Sequence, residues 1–152
     1  MKSFNSLLSA FMTFIIFCFL TFYTSCRNED TVVNCVPPSY VEASYNLDLP
    51  LFANLRQTHG YVVLEPDGTN GSRGIIIVNT GSRFVAYDRN APHICPSANS
   101  TLVVKDDIII ECPEDGAQWM LYKGEPLNEQ TNGRTPRQFY VNLIGSDLII
   151  TN

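Results

Sequence analysis

Beyond residue 40 every apolar run in the chain is short, and a cluster of turn residues stops each one before a helix could be completed. Such runs occupy residues 61–64, 75–78, 84–87, 102–104, 108–110, 119–121, 139–144 and 148–150, and β-branched residues dominate them. Between them lie Asp67-Gly68-Thr69-Asn70-Gly71, Asn79-Thr80-Gly81-Ser82, Lys105-Asp106-Asp107 and Gly145-Ser146-Asp147. These supply the backbone freedom and side-chain hydrogen bonds that chain reversals need. Residues 40–49 alternate, with Val41, Ala43, Tyr45, Leu47 and Leu49 on one face, which is the period of a half-buried strand. Strands at this close spacing pair through tight turns, so the chain reads as all-β, an antiparallel sandwich or small barrel rather than a parallel sheet. There is no internal repeat and no low-complexity tract.

The first residues read differently. Met1-Lys2 is a short basic start, and residues 4–25 carry no charge, are crowded with Leu, Phe and Ile, and end at Tyr23-Thr24-Ser25-Cys26. A basic start, an apolar run and small residues before a cysteine describe a secretory signal. The stretch resembles a bacterial lipoprotein signal, with the Ser-Cys ending of the Bacteroidetes type. That resemblance makes Cys26 the lipidated first residue of the mature chain, at the outer membrane or the cell surface. The run is also long enough to cross a bilayer uncleaved. Either reading leaves the remainder outside the cytoplasm and on a membrane. Asn28-Glu29-Asp30 is similar to the export tag of surface lipoproteins and is equally the composition of a solvated linker. The stiff Pro37-Pro38 pair closes that stretch, giving a signal over 1–25, a tether over 26–39 and a folded domain over 40–152.

This division sorts the five cysteines. Cys18 falls in the signal and Cys26 at its end, leaving Cys35, Cys95 and Cys112 in an oxidising compartment. Three thiols there allow one bridge and leave one over. Ten Lys and Arg stand against fifteen Asp and Glu, a net charge of −5, and loss of Lys2 with the signal makes the mature chain more acidic still. Scattered basic residues on an acidic domain provide no footprint for nucleic acid or anionic headgroups. The mature length, about 125 residues, suits one domain with a single modest core.

Two segments carry the chemistry. Ala91-Pro92-His93-Ile94-Cys95 follows one apolar run, Cys112-Pro113-Glu114-Asp115-Gly116 follows another, and the second continues as Gly116-x-x-Trp119-x-Leu121-x-x-Gly124. Together they resemble the cluster-binding loops of the Rieske family, in which a C-x-H loop and a C-P-x-H-G loop hold a [2Fe–2S] centre. Ala91 stands at the first cysteine position and Asp115 at the second histidine position, so His93 and Cys112 remain in register. The resemblance implies an antiparallel Rieske-like sandwich with a small subdomain that bears both loops at its tip. Residues 84–88 would lead into the first loop and 107–111 into the second. Gly133-Arg134-Thr135-Pro136 would match the segment that covers the cluster.

The family's centre takes two thiolates on one iron and two imidazoles on the other, one of each from each loop. His93 and Cys112 alone leave each iron with one protein ligand of its two. A methyl group cannot ligate, and a carboxylate is a hard ligand for a sulfide-bridged iron. No conventional cluster, and no other cofactor, is therefore expected. The alternative is an altered [2Fe–2S] or mononuclear iron site built from His93, Cys95, Cys112 and Asp115. Some respiratory Rieske proteins carry a disulfide between these same loops. The resemblance thus also implies a Cys95–Cys112 bridge across the loop tips, with Cys35 left unpaired.

Other residues read as structure. His59 beside Gly60 has no second histidine nearby and reads as a surface side chain. Trp119 alternates with Leu121 as core residues do. Asp106-Asp107 and Glu114-Asp115 lie outside any EF-hand pattern and read as solvated turns. No Ser-His-Asp or G-x-S-x-G arrangement is present. The expectation is a membrane-anchored extracytoplasmic module for binding or structural support, with electron transfer as the alternative and enzymatic activity not expected.

Overall fold

The structure, a computed structural model, describes residues 32–152. Residues 1–25, read from sequence as a signal, and Cys26 lie outside the described residues. The strands are β1 (Glu42–Asn46), β2 (Tyr61–Leu64), β3 (Ile75–Asn79), β4 (Phe84–Asp88), β5 (Val103–Lys105), β6 (Ile109–Glu111), β7 (Gln118–Met120), β8 (Gln138–Ile144) and β9 (Asp147–Thr151). They form a six-stranded sheet in the order β1-β9-β8-β4-β3-β2 and a three-stranded sheet in the order β5-β6-β7. Every pairing is antiparallel.

β3 organises both layers. Ile75, Ile76, Ile77 and Val78 are all fully buried, although successive side chains in a strand point to opposite faces. Ile75 and Ile77 join one apolar cluster with Phe52, Leu55, Ala86, Phe139, Leu148 and Ile150, inside the large sheet. Ile76 and Val78 join a second with Val85, Tyr87, Leu102, Ile110, Trp119 and Leu121, where the small sheet packs on the outer face. An unbroken apolar run is the sequence mark of a strand covered on both sides. β8 curls the large sheet by changing partners along its length. Gln138 and Phe139 pair with β4, whereas residues 140–144 pair with β9.

Within the domain, each apolar run read from the sequence forms a strand, shifted by at most a residue or so at its ends. The alternation over residues 40–49 is cut short. β1 stops at Asn46 and Leu49 is exposed. Pro50, with its φ preset for a helical turn, starts a 3₁₀ helix, Pro50–Arg56. That helix buries Phe52 and Leu55 against the inner cluster. Their spacing of three residues is its sequence signal.

The disulfide joins Cys35 to Cys95, not Cys95 to Cys112, and Cys112 is a free, buried thiol. Strand parity explains the correction. Ile110 and Cys112 lie two apart on the inward face that follows β6, and both are fully buried in the outer cluster. Cys95 sits on the exposed side of its loop. The segment read as tether runs past it, pinned where Val33 N–H donates to Pro92 O at 2.8 Å and where Val36 is buried. The bridge spans a sequence separation of 60 residues. Non-reducing peptide mapping is expected to recover a Cys35–Cys95 peptide, with Cys112 resisting alkylation until the chain unfolds. Cys35→Ser should lower the unfolding free energy by about 4 kcal/mol, the loop-closure entropy for a loop of that size. Recovery of a Cys95–Cys112 peptide would overturn this pairing.

Candidate functional site at the paired loops

The first loop connects β4 to β5 and is fastened at its base. Leu102 N–H donates to Arg89 O at 2.8 Å, and Asn90 bridges to Thr101. The buried Arg89 guanidinium donates to Leu102 O at 3.2 Å and to Glu65 at 2.8 Å. Arg73 holds the far side, donating to Ser97 O at 2.6 Å and to the Thr101 hydroxyl. Each bond to a charged donor contributes about 1.5–3 kcal/mol where it is sheltered from water. The loop is thus a fixed shelf.

The second loop is the tight reversal between β6 and β7. Cys112 N–H donates to Ala117 O at 2.8 Å and Gly116 N–H to Cys112 O at 2.9 Å. Gly116 has φ +75° and needs the freedom of a glycine there. Asp115 Oδ1 accepts the Ala117 N–H at 3.1 Å, so its side chain is part of the turn. The loops meet twice. Ser97 donates its hydroxyl to Glu114 at the surface. Deeper in, His93 Nε2 lies 2.6 Å from Asp115 Oδ2.

His93 is held from several sides. Its side chain is fully buried, and its ring packs edge-on against Trp119 with centroids 5.3 Å apart. The Trp119 indole N–H donates to Arg134 O at 2.7 Å. Gly124 ends the motif where Tyr87 approaches. A Cβ there would lie 3.0 Å from the Tyr87 ring, and its φ is +72°. An ionised carboxylate can only accept, so Nε2–H is the donor to Asp115, and His93 Nδ1 is buried without a partner. Burial by itself raises the Asp115 pKa, but the Ala117 N–H, the His93 contact and the Cys112 thiol together outweigh it and hold the carboxyl below its ordinary value. Burial pushes the Cys112 thiol up to about 11, helped by the Asp115 charge and opposed by the Glu114 N–H.

Of the residues singled out from sequence, His93, Cys112 and Asp115 come together, with their donor atoms within 4.8 Å of one another. Cys95 does not join them, because its sulfur is bonded to Cys35. Ala91 buries its methyl group in the outer cluster. One thiolate, one imidazole and one carboxylate do not fit a conventional [2Fe–2S] centre, which needs two protein ligands on each iron. The four-residue iron site is likewise incomplete without Cys95. His59 is exposed and stacks on Tyr122 at 4.5 Å. Trp119 is fully buried core. The hydrogen bond from His93 to Asp115 was not foreseen, because no spacing rule connects two residues on different loops. Nor was the Arg73 clamp.

No family model and no curated protein matches this sequence. Among solved structures the chain is similar to the apo form of a quaternary ammonium Rieske monooxygenase, CntA, with a TM-score of 0.50 and 16% identity over 74% of this chain and 32% of that one. The chain spans about a third of the length of that structure. The shared feature is the fold. The chain has a mostly β, Rieske-like architecture, with a curled antiparallel sheet and a small three-stranded sheet.

The Asp115 carboxyl sets a pH dependence. Its folded pKa lies below the ordinary 3.8, so its stabilising contribution is complete above that value and is lost as pH falls through the depressed folded one. Chemical unfolding of wild type and Asp115→Asn is expected to differ most near neutral pH and to converge in strong acid. A constant difference across the range would show that Asp115 is not ionised in the folded protein.

Proposed function

We propose that this protein is an extracytoplasmic Rieske-like domain, tethered to a membrane through lipidated Cys26, that lacks a conventional [2Fe–2S] cluster and acts as a binding or structural module. The observation that carries this reading is the pairing of His93 with Asp115 at 2.6 Å, beside an Ala91 methyl buried in core. The positions that hold metal in the Rieske family are here engaged with each other or with apolar neighbours. A membrane tether is supported by the signal-like residues 1–25 ending at Cys26. The Cys35–Cys95 bridge favours an oxidising compartment. Partners are proteins or the membrane itself rather than nucleic acid, given the net charge of −5.

Iron and labile-sulfide assays on freshly prepared protein are expected to find neither in stoichiometric amount, and the protein to be colourless. A brown protein with a visible charge-transfer spectrum would defeat the reading and restore electron transfer. The double variant Ala91→Cys, Asp115→His supplies the family's ligand set and should gain iron on anaerobic reconstitution. Failure to do so in a folded variant would count against the correspondence of the loops.

Anchoring has its own check. Metabolic acyl labelling should mark the wild type and not Cys26→Ser, which should leave the membrane fraction or accumulate as precursor. Each buried methylene of an acyl chain contributes about 0.8 kcal/mol to membrane binding. An unlabelled wild type would remove the lipid anchor from the proposal.

A further inference from the structure

We infer that His93, Cys112 and Asp115 form a site for one soft divalent cation, zinc in type, between the two loops. This deepens the preceding reading and rests on it, since it requires loops free of a cluster. Among the described residues these three bring an imidazole nitrogen, a sulfur and a carboxylate oxygen within 4.8 Å of one another. Nitrogen, sulfur and oxygen donors converging on one point are the ligand set of a tetrahedral zinc ion, with bonds of about 2.0–2.3 Å and a fourth position open to water. Calcium and magnesium need more oxygens than are present.

Charge and burial fit that assignment. A thiolate and a carboxylate together neutralise a divalent ion, so the filled site is neutral even though His93 and Cys112 are buried. Binding releases the thiol proton of Cys112 as the sulfur–metal bond forms. At His93 the cation replaces the proton that Nε2 now gives to Asp115, and the ring proton moves to Nδ1. That nitrogen is buried without a partner, so the metal bonds must outweigh an unsatisfied N–H there. The side facing solvent is Asp115, whose side chain keeps 31% exposure. It provides the entry path and the freedom to widen the 2.6 Å contact.

The test uses the full chain in detergent, without reductant so that the Cys35–Cys95 bridge stays closed and Cys112 is the only folded-domain thiol. After treatment with a chelator, Zn²⁺ is titrated against a chromophoric chelator, and Co²⁺ is added to a second sample as a spectroscopic probe. One equivalent of each metal should bind, and cobalt should give a thiolate charge-transfer band with tetrahedral d–d bands. Asp115→Asn, at a partly exposed position, should weaken Zn²⁺ binding by at least about 10-fold. Cys112→Ser should abolish the charge-transfer band, with thermal unfolding confirming that the variant is folded. No binding by folded wild type, a bound cobalt without the thiolate band, or Zn²⁺ affinity unchanged in Asp115→Asn would overturn the site. Stoichiometric iron with labile sulfide would instead overturn the cluster-free reading, so the two failures are distinguishable.

Discussion

Two-sided burial of β3 is the constraint from which the rest of the architecture follows. Four consecutive side chains, Ile75 to Val78, must all leave water, and a single sheet can cover only one face of a strand. Each such side chain contributes about 1.5–3 kcal/mol when fully buried. Leaving Ile76 and Val78 exposed would forfeit as much as several hydrogen bonds supply. The large sheet curls over Ile75 and Ile77, and the small sheet covers Ile76 and Val78. Once β5, β6 and β7 occupy the outer face, the β4–β5 and β6–β7 connections must emerge beside each other. The proximity of His93 and Asp115 is a consequence of hydrophobic layering, not of any attraction between them.

What holds the loops closed is then a question of magnitudes. The links are the Cys35–Cys95 bridge, the His93–Asp115 bond, the Ser97–Glu114 contact and burial of Ala91. The bridge, at about 4 kcal/mol by loop entropy, outweighs the others singly. It ties the first loop to the chain's N-terminal segment rather than to the second loop. Closure between the loops therefore rests on the part-buried His93–Asp115 hydrogen bond and the shared core. A charge-assisted bond of that kind contributes about 1.5–3 kcal/mol, enough to fix the geometry while leaving the contact able to open.

The strands were legible because their signals are local. Apolar runs bounded by Asp-Gly, Thr-Gly and Gly-Ser turns need no knowledge of distant residues, and an uninterrupted run such as 75–78 is the mark of a strand covered on both faces. The loop pair was legible through its C-P-x-x-G and x-P-H segments, which made His93, Cys112 and Asp115 visible as a set. The cysteine pairing was not. Among three thiols every pair satisfies the same arithmetic, and the family likeness favoured the two loop cysteines. The overlooked signal was parity. With Ile110 inward, Cys112 two residues later also faces inward, away from the exposed surface on which Cys95 and Cys35 meet. The 3₁₀ helix was hidden for a related reason, since Leu49 continues the alternation of β1 by one step while Pro50 ends it.

A thiol, an imidazole and a carboxylate in contact also spell the side-chain set of a cysteine hydrolase, and the geometry argues against that chemistry. A nucleophilic cysteine needs a lowered pKa and access for substrate. The Cys112 thiol has neither, being pushed up to about 11 by burial and wholly inaccessible. In a working triad one imidazole nitrogen faces the nucleophile while the other is oriented by the carboxylate. His93 satisfies only the second condition, because its Nδ1 has no partner. A polypeptide or ester cannot reach a sulfur fully buried in the outer cluster, whereas a single ion entering beside the partly exposed Asp115 can. The same burial that disqualifies Cys112 as a nucleophile shields a sulfur–metal bond from competing water. It thus separates two functions that the residue types alone would leave equal.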